Sequence, residues 1–240
     1  MDTADTNKKL LRRREFNRLC AVLGLSLPSV SAMLASVPGI PALASTADWK
    51  REARTVTFRD GTVVSALGQG TWHLAQGKHP ETIEEEALRT GISLGMTVID
   101  TAELYSGGHS EELVGRVIAG RRDQVFLVSK VTPDHVTDDG IARACEASLG
   151  RLGTDYLDLY LLHWRNPDTD LSKAVAGFES LRARGKIRAW GVSNFKVSDM
   201  DDLFRVPDGH RCATNQVRYS LANRAIEYDL LPWCRQHRMP

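Results

Sequence analysis

Residues 125–163 read VFLVSKVTPDHVTDDGIARACEASLGRLGTDYLDLYLLH. The short apolar runs at residues 125–130 and 156–163 are typical of buried strands, and residues 138–152 between them have the pattern of an amphipathic helix. A buried strand, a helix and a second buried strand, in that order, form a unit whose two strands run parallel. The stretch therefore predicts a parallel sheet covered by helices.

The same alternation continues on both sides of this unit. Four further strands are predicted at residues 66–70, 97–101, 187–193 and 213–217. Helices are predicted at residues 80–95, 110–119, 171–184, 198–204 and 224–237. Ahead of them, residues 55–58 and 62–65 flank Asp60-Gly61, which is typical of a β-hairpin. Strands and helices in this alternation fit either a doubly wound open sheet or a barrel.

The glycines after the first strand and the residues at the strand ends favour the barrel. A doubly wound sheet predicts G-x-G-x-x-G, but Gly68-Gln69-Gly70 supplies only two of the glycines and no helical pattern begins there. A barrel predicts chemically capable side chains where its strands end. Such side chains close five successive strands: Asp100, Lys130, His163, Ser193 with Asn194, and Gln216. The sequence thus predicts an α/β fold of the (β/α)8 TIM-barrel type with an N-terminal β-hairpin.

The composition is that of an ordinary globular chain. Of 240 residues, 42% are apolar and 25% are charged, which excludes disordered and fibrous chains. The 31 basic and 30 acidic side chains nearly cancel, so no nucleic acid partner is expected. The histidines show no metal-ligand spacing, and no metal site is predicted. The irregular spacing of the cysteines after Cys20 predicts buried thiols rather than a disulfide framework: Cys145, Cys212 and Cys234.

The first 44 residues differ from the rest of the chain. They carry six basic and three acidic side chains, and residues 19–47 contain no charge. A basic segment, an uncharged segment and the small-residue pattern Ala42-Leu43-Ala44 are the parts of a secretory signal. The basic part, Arg13-Arg14-Glu15-Phe16-Asn17-Arg18, resembles the twin-arginine export signal. We therefore predict a signal peptide at residues 1–44 that engages the export machinery, and a barrel domain at residues 45–240.

A membrane anchor is the alternative interpretation of this segment, because its uncharged run exceeds the roughly 20 residues that span a bilayer. Pro28, Pro38 and Pro41 interrupt the run, together with glycines and serines, so the signal is preferred. The expected location is the periplasm or the outside of the cell, without membrane attachment after cleavage. If the signal is not used, the expected location is the cytoplasm.

Six short motifs resemble one known family, and the match that they define extends over nearly all of the chain from Thr55 onward. In chain order they are Asp100-Thr101-Ala102-Glu103-Leu104-Tyr105, Ser110-Glu111-Glu112-Leu113-Val114-Gly115, Val128-Ser129-Lys130, Leu161-Leu162-His163-Trp164, Trp190-Gly191-Val192-Ser193-Asn194-Phe195 and Asn215-Gln216-Val217-Arg218-Tyr219. Their order and spacing resemble the aldo-keto reductase family. The resemblance implies an oxidoreductase with a catalytic tetrad of Asp100, Tyr105, Lys130 and His163.

The four residue types fit the chemistry of carbonyl reduction. A carbonyl that accepts hydride develops negative charge on its oxygen and needs a proton there. Tyr105 can donate that proton, and the cation of Lys130 close to the phenol favours its release. Asp100 keeps the lysine charged, and His163 hydrogen-bonds the substrate oxygen. Taken singly, each residue has a plainer role: a turn cap, a loop aromatic, a surface ion pair or a core histidine.

A cofactor must supply the hydride, because no side chain can. The resemblance implies that this cofactor is a nicotinamide dinucleotide, NADP, and the sequence itself does not distinguish NADP from NAD. Ser193, Asn194 and Gln216 would hold its carboxamide, and Gly70 and Thr71, where the first strand ends, are assigned to the same site. The expected substrate is a small aldehyde or ketone. Two tryptophans are expected either to wall the substrate pocket or to lie in the core: Trp72 and Trp164.

The resemblance stops short at the C-terminal end of the chain. A full barrel has eight strand–helix units, whereas six are predicted here, so we expect a barrel that lacks the last two. In the family, that part holds most of the cofactor's phosphates. Two alternatives to a reductase therefore stay open: a non-catalytic, cofactor-binding regulatory module, and an inactive truncated fragment.

Overall fold

The computed structural model describes residues 54–240, so the predicted signal at residues 1–44 lies outside the described part. The strands are β1 (Thr55–Thr57), β2 (Val63–Ser65), β3 (Gly68–Gly70), β4 (Val98–Asp100), β5 (Phe126–Val131), β6 (Leu157–Leu162), β7 (Ile187–Ser193) and β8 (Asn215–Gln216). The α-helices are α1 (Glu81–Ser93), α2 (His109–Ile118), α3 (Gly140–Leu152), α4 (Leu171–Ala183), α5 (Val197–Arg205) and α6 (Leu230–Gln236).

The order of the strands identifies the larger sheet as part of a barrel. From β3 to β8, each strand pairs in parallel with the next strand in the sequence. A doubly wound sheet reverses its strand order at a switch point, and β3–β8 show no reversal. The predicted TIM-barrel type is therefore confirmed for six consecutive strands. The predicted hairpin is confirmed as well, because β1 and β2 pair antiparallel.

Local sequence signals fix where several of these helices begin and end. The side chain of Asp170 accepts hydrogen bonds from the backbone amides of Ser172 and Lys173, and so caps the start of α4. Gly153 ends α3 with a φ of 62°, a left-handed conformation that glycine adopts without steric cost. Asp170 and Gly153 therefore mark the start of α4 and the end of α3.

The main apolar core lies between the sheet and its helices. Phe178 of α4 stacks on Trp190 of β7 with ring centroids 5.4 Å apart, and both side chains are buried. A smaller cluster lies on the concave face of the sheet around Val128, Leu159 and Leu161. A cavity of about 430 Å³ opens on this concave face. The two faces of the sheet therefore differ: helices cover one, and the other is the interior of the partial barrel.

Alternation along the strands carries polar side chains to the barrel mouth. Side chains two residues apart on a strand point to the same face. The concave cluster includes Val98, Phe126, Val128, Leu159, Leu161 and Ala189. Continuing each series in steps of two gives Asp100 after Val98, Lys130 after Val128, His163 after Leu161, and Ser193 four residues after Ala189. The inward-facing side chains are thus apolar in the middle of the strands and polar at the carboxyl ends of the strands.

The last predicted helix, residues 224–237, is wrong in its first half. A 3-10 turn occupies Ala225–Glu227, and α6 begins only at Leu230. Pro232 explains the difference, because proline has no amide hydrogen for the interior of a longer helix but is tolerated in a first turn. Asp229 then caps the start by accepting a hydrogen bond of 2.6 Å from the Leu230 amide. All other predicted strands and helices of β3–β8 end within two residues of the observed bounds.

Two further observations concern the cysteines and the apolar character of the helices. Cys145 and Cys212 are buried as predicted, whereas Cys234 is only half-buried. Burial raises the pKa of the Cys145 and Cys212 thiols to about 12, so both stay protonated. Within residues 54–240, no helix combines the length and the apolar character that crossing a membrane requires.

Candidate active site

Four side chains from the carboxyl ends of β4, β5 and β6 meet at the barrel mouth. Asp100 is the last residue of β4, Lys130 lies near the end of β5, and His163 directly follows β6. Tyr105 begins a 3-10 turn, Tyr105–Gly108, in the loop after β4. The structure thus brings together all four side chains of the predicted tetrad.

Lys130 is the centre of this cluster. Its side chain is 1% exposed, and its Nζ donates three hydrogen bonds: to Asp100 Oδ1 at 2.6 Å, to the Thr101 carbonyl at 2.9 Å and to Tyr105 Oη at 3.1 Å. An ammonium group has three protons to donate, so each one has an acceptor. A buried charge is tolerated only when it is paired and hydrogen-bonded. The surroundings of Lys130 therefore satisfy all the donors of a buried ammonium group.

Tyr105 receives one of these hydrogen bonds through its hydroxyl oxygen. Because the oxygen accepts from Lys130, the hydroxyl proton is free to point away from the lysine. The ring is half-buried, so the hydroxyl group can be reached from the mouth. Its edge meets the ring of His163, with centroids 5.6 Å apart. The arrangement presents an acidic proton beside a fixed positive charge.

His163 lies beside the same lysine and is neutral. Burial, with the nearby charge of Lys130, lowers the pKa of His163 to about 4. Its Nδ1 is buried and has no hydrogen-bond partner among residues 54–240. A neutral imidazole carries one N–H donor and one acceptor nitrogen. The side chain can therefore offer a single hydrogen bond to an oxygen placed near Tyr105.

The residues predicted to hold the cofactor amide are linked to this cluster. Gln216 Nε2 donates to Asp100 Oδ1 at 3.1 Å, the same oxygen that accepts from Lys130. Ser193 Oγ donates to the Gln216 carbonyl at 2.8 Å. Asn194 Nδ2 donates to the His163 carbonyl at 3.0 Å, and Asn194 has a φ of 62°. The amides of Asn194 and Gln216 are exposed, so part of their hydrogen-bonding capacity faces the mouth.

Gly70 and Thr71, the other two predicted cofactor residues, lie where β3 ends. Gly70 is exposed and pairs in register with Asp100. Thr71 is fully buried, and both its amide and its hydroxyl donate to the Asp100 carbonyl, at 3.0 and 3.1 Å. The contacts of Thr71 therefore hold the backbone of Asp100. The assignment of both residues to the cofactor stays a prediction.

The two tryptophans singled out in the sequence lie outside the core. Trp72 is 63% exposed and stacks on His73, with centroids 4.7 Å apart. Trp164 is half-buried, and its ring lies 4.9 Å from that of His163. The sequence left two interpretations open, a pocket wall or a place in the core, and the structure excludes the core for both tryptophans. Trp164 is close enough to His163 to contact a molecule bound beside that imidazole.

Glu111 lies behind the strand that carries Lys130, and its contacts there could not be assigned from the sequence. It lies on α2, is fully buried, and accepts hydrogen bonds from Ser129 at 2.6 Å and from Arg151 at 2.7 Å. Helical periodicity contained the signal, because residues 111, 114 and 118 share one helix face and the latter two are the buried Val114 and Ile118. An acidic residue on such a face needs a buried partner.

The pattern of the Aldo/keto reductase family matches residues 66–240. The chain is 50% identical over 189 residues to "Methylglyoxal reductase YeaE" of Escherichia coli, a match covering 79% of this chain and 66% of that protein. It is 37% identical over 192 residues to "Aldo-keto reductase YhdN" of Bacillus subtilis, covering 75% of this chain and 57% of that protein.

Among solved structures, the chain resembles an aldo/keto reductase from Klebsiella pneumoniae in complex with NADP and acetate. The two are 55% identical, with a TM-score of 0.75, over 78% of this chain and 65% of the other. A second structure from that organism, in complex with NADPH, has the same identity and TM-score, and the match covers 66% of that chain. The chain thus spans about two thirds or less of the length of these relatives.

Proposed function

The chain belongs to the aldo/keto reductase family, and from that premise we propose that it reduces a small aldehyde or ketone with NADPH and catalyses the reverse oxidation of the alcohol. The observation that carries the proposal is the contact of 3.1 Å between Lys130 Nζ and Tyr105 Oη. It joins a proton donor to a buried cation at the mouth of a barrel, which is where such barrels have their active sites.

In the proposed reaction, Tyr105 is the general acid. The nicotinamide, when bound, supplies a hydride to the carbonyl carbon. As negative charge grows on the carbonyl oxygen, the Tyr105 hydroxyl donates its proton there and the alcohol is formed. The phenolate left behind is stabilised by Lys130, which Asp100 holds in place. Oxidation runs through the same groups in reverse, with the phenolate as the base.

His163 orients the substrate oxygen in this proposal. Because its imidazole is neutral, with a pKa of about 4, it donates a hydrogen bond without competing as a strong acid. Its edge contact with Tyr105 puts both groups within reach of one oxygen atom. The carbonyl is then held by one donor while it receives a proton from the other.

The residues at the mouth fit the nicotinamide end of the proposed cofactor. A carboxamide both donates and accepts hydrogen bonds, and so do the exposed amides of Asn194 and Gln216 and the hydroxyl of Ser193. The relatives from Klebsiella pneumoniae bind NADP and NADPH, which supports the phosphorylated cofactor over NAD. Gln216 would connect the cofactor to Asp100 through their hydrogen bond.

A short, reactive carbonyl compound is the substrate class that we propose. The relative that is 50% identical to the chain is named a methylglyoxal reductase, and methylglyoxal is a small 2-oxoaldehyde. We expect the purified 240-residue chain to consume NADPH in the presence of methylglyoxal, measured as the loss of NADPH absorbance. NADPH binding without turnover would support a regulatory module, and failure to bind NADPH would support an inactive fragment.

We further propose that residues 1–44 direct the folded protein through a twin-arginine export route. The paired Arg13 and Arg14, the uncharged segment and the small residues around Ala44 support this. Cytoplasmic folding would allow a cofactor to be bound before export. In a host with this route, we expect the wild-type chain outside the cytoplasm and an Arg13→Lys, Arg14→Lys variant inside it. An equal distribution of both proteins would contradict the proposal.

A further inference from the structure

Tyr105 is followed by a turn in which a serine adopts an unfavourable backbone conformation. Three successive residues after it have positive φ: Ser106 at 51°, Gly107 at 64° and Gly108 at 98°. Glycine adopts such angles freely, but serine does so at a cost. Conformations of this kind persist only where the surrounding structure holds them. The place of the Tyr105 hydroxyl therefore depends on what packs against this turn.

Arg151 of α3 packs directly against the end of the turn. A Cβ atom added to Gly108 would lie 2.8 Å from Arg151 Cδ and 2.9 Å from Arg151 Nε. Real Cβ atoms do not approach other atoms so closely, so the arginine side chain fills the space beside this glycine. The turn is thus blocked on one side by the aliphatic stem and the guanidinium of Arg151.

Glu111 fixes Arg151 and at the same time reaches the strand of Lys130. Its carboxylate accepts from Arg151 Nε at 2.7 Å and from Ser129 Oγ at 2.6 Å. The glutamate is fully buried, whereas the arginine side chain is 27% exposed. Ser129 directly precedes Lys130 in β5, and its side chain points away from the barrel interior. One carboxylate therefore links the support of the Tyr105 turn to the strand that carries the lysine.

We propose that Glu111 and Arg151 are positioning residues that set the distance between the Tyr105 hydroxyl and the Lys130 ammonium. This inference rests on the proposed reductase function, in which that distance controls proton release. At an effective dielectric constant of about 20, lengthening the 3.1 Å contact to about 4 Å weakens the attraction between a phenolate and an ammonium by roughly a fifth, which changes the ionisation equilibrium of the phenol nearly tenfold. A loosened turn should therefore require a pH about one unit higher to ionise the phenol.

Arg151→Lys tests the proposal with little change in charge. Lysine keeps the aliphatic stem beside Gly108 but lacks the Nε–H group that donates to Glu111, so the side chain is no longer fixed against the turn. We expect the midpoint of tyrosinate formation to rise by about one pH unit, measured as the ultraviolet difference between the variant and the same variant carrying Tyr105→Phe. The alkaline limb of the reductase pH profile should move to higher pH by the same amount. Arg143→Lys is the matched control on α3, because Arg143 is largely exposed.

The ultraviolet measurement does not need turnover, so it remains decisive even if the reductase proposal fails. Ser129→Ala is the second variant, because it removes one hydrogen bond to Glu111 and leaves Arg151 in place. Ser129→Ala should also raise the midpoint of tyrosinate formation, by less than Arg151→Lys does. If Arg151→Lys does not fold, by circular dichroism, Ser129→Ala decides alone. An unchanged midpoint in the folded variants overturns the positioning role.

Discussion

Replacing Tyr105 with phenylalanine is expected to lower the rate of carbonyl reduction roughly a hundred- to ten-thousand-fold, the range of general acid catalysis. The substitution keeps the ring, which meets His163 edge-on, and removes only the hydroxyl group that Lys130 contacts. The affinity for NADPH should not change, because the hydroxyl contacts none of Ser193, Asn194 or Gln216. Single-turnover kinetics with saturating NADPH measure the rate, and cofactor fluorescence measures the binding.

The matched control for this substitution is Tyr228→Phe, because Tyr228 is 90% exposed and should lose no activity. The pH profile supplies a second check on the assignment. Burial and Lys130 hold the pKa of His163 at about 4, so the imidazole is neutral above about pH 5 and contributes no change in rate there. If Tyr105→Phe retained most of the reductase activity, another group would have to deliver the proton, and the proposed reaction would be wrong.

Much of the site could be predicted from the sequence because strands obey a simple period. Alternation continues the inward-facing apolar residues to Asp100, Lys130 and His163, and parallel strands end at the same edge of the sheet. The position of each side chain is therefore set by its strand, whose apolar pattern can be read directly. The same rule places Ser193 at the end of β7.

The remaining features depend on contacts between distant residues. Tyr105 lies in a loop, and its position follows from left-handed turn residues and from Arg151, which is 46 positions further along the chain. The hydrogen bond between Gln216 and Asp100 joins residues 116 positions apart. The start of the last helix is a different case, because Pro232 is a local signal that was present in the sequence. Long-range contacts have no period, so a single sequence does not reveal them.

Lys130→Met is expected to reduce activity roughly a hundred- to thousandfold, as the loss of one preorganised charge does in other active sites. The kcat/KM values for reduction and for oxidation should fall by the same factor at a given pH, because the enzyme does not change the equilibrium constant and the same tyrosine serves both directions. Initial rates measured in both directions, with NADPH and aldehyde or with NADP and alcohol, test this. Lys173→Met is the control, since Lys173 pairs with Asp138 on the surface.

The same variant separates the role of Lys130 in activity from its role in stability. Removing the ammonium leaves the Asp100 carboxylate with Gln216 as its remaining side-chain donor, which should lower the free energy of unfolding by up to about 3 kcal/mol. Asp100 is 21% exposed, so water limits that loss. The double variant Lys130→Met, Asp100→Asn removes both charges and should regain most of the stability while staying inactive, because buried ion pairs are often replaced without loss. Urea unfolding measures both variants. A double variant less stable than Lys130→Met would mean that the ion pair holds the barrel mouth together rather than serving mainly the proposed proton transfer.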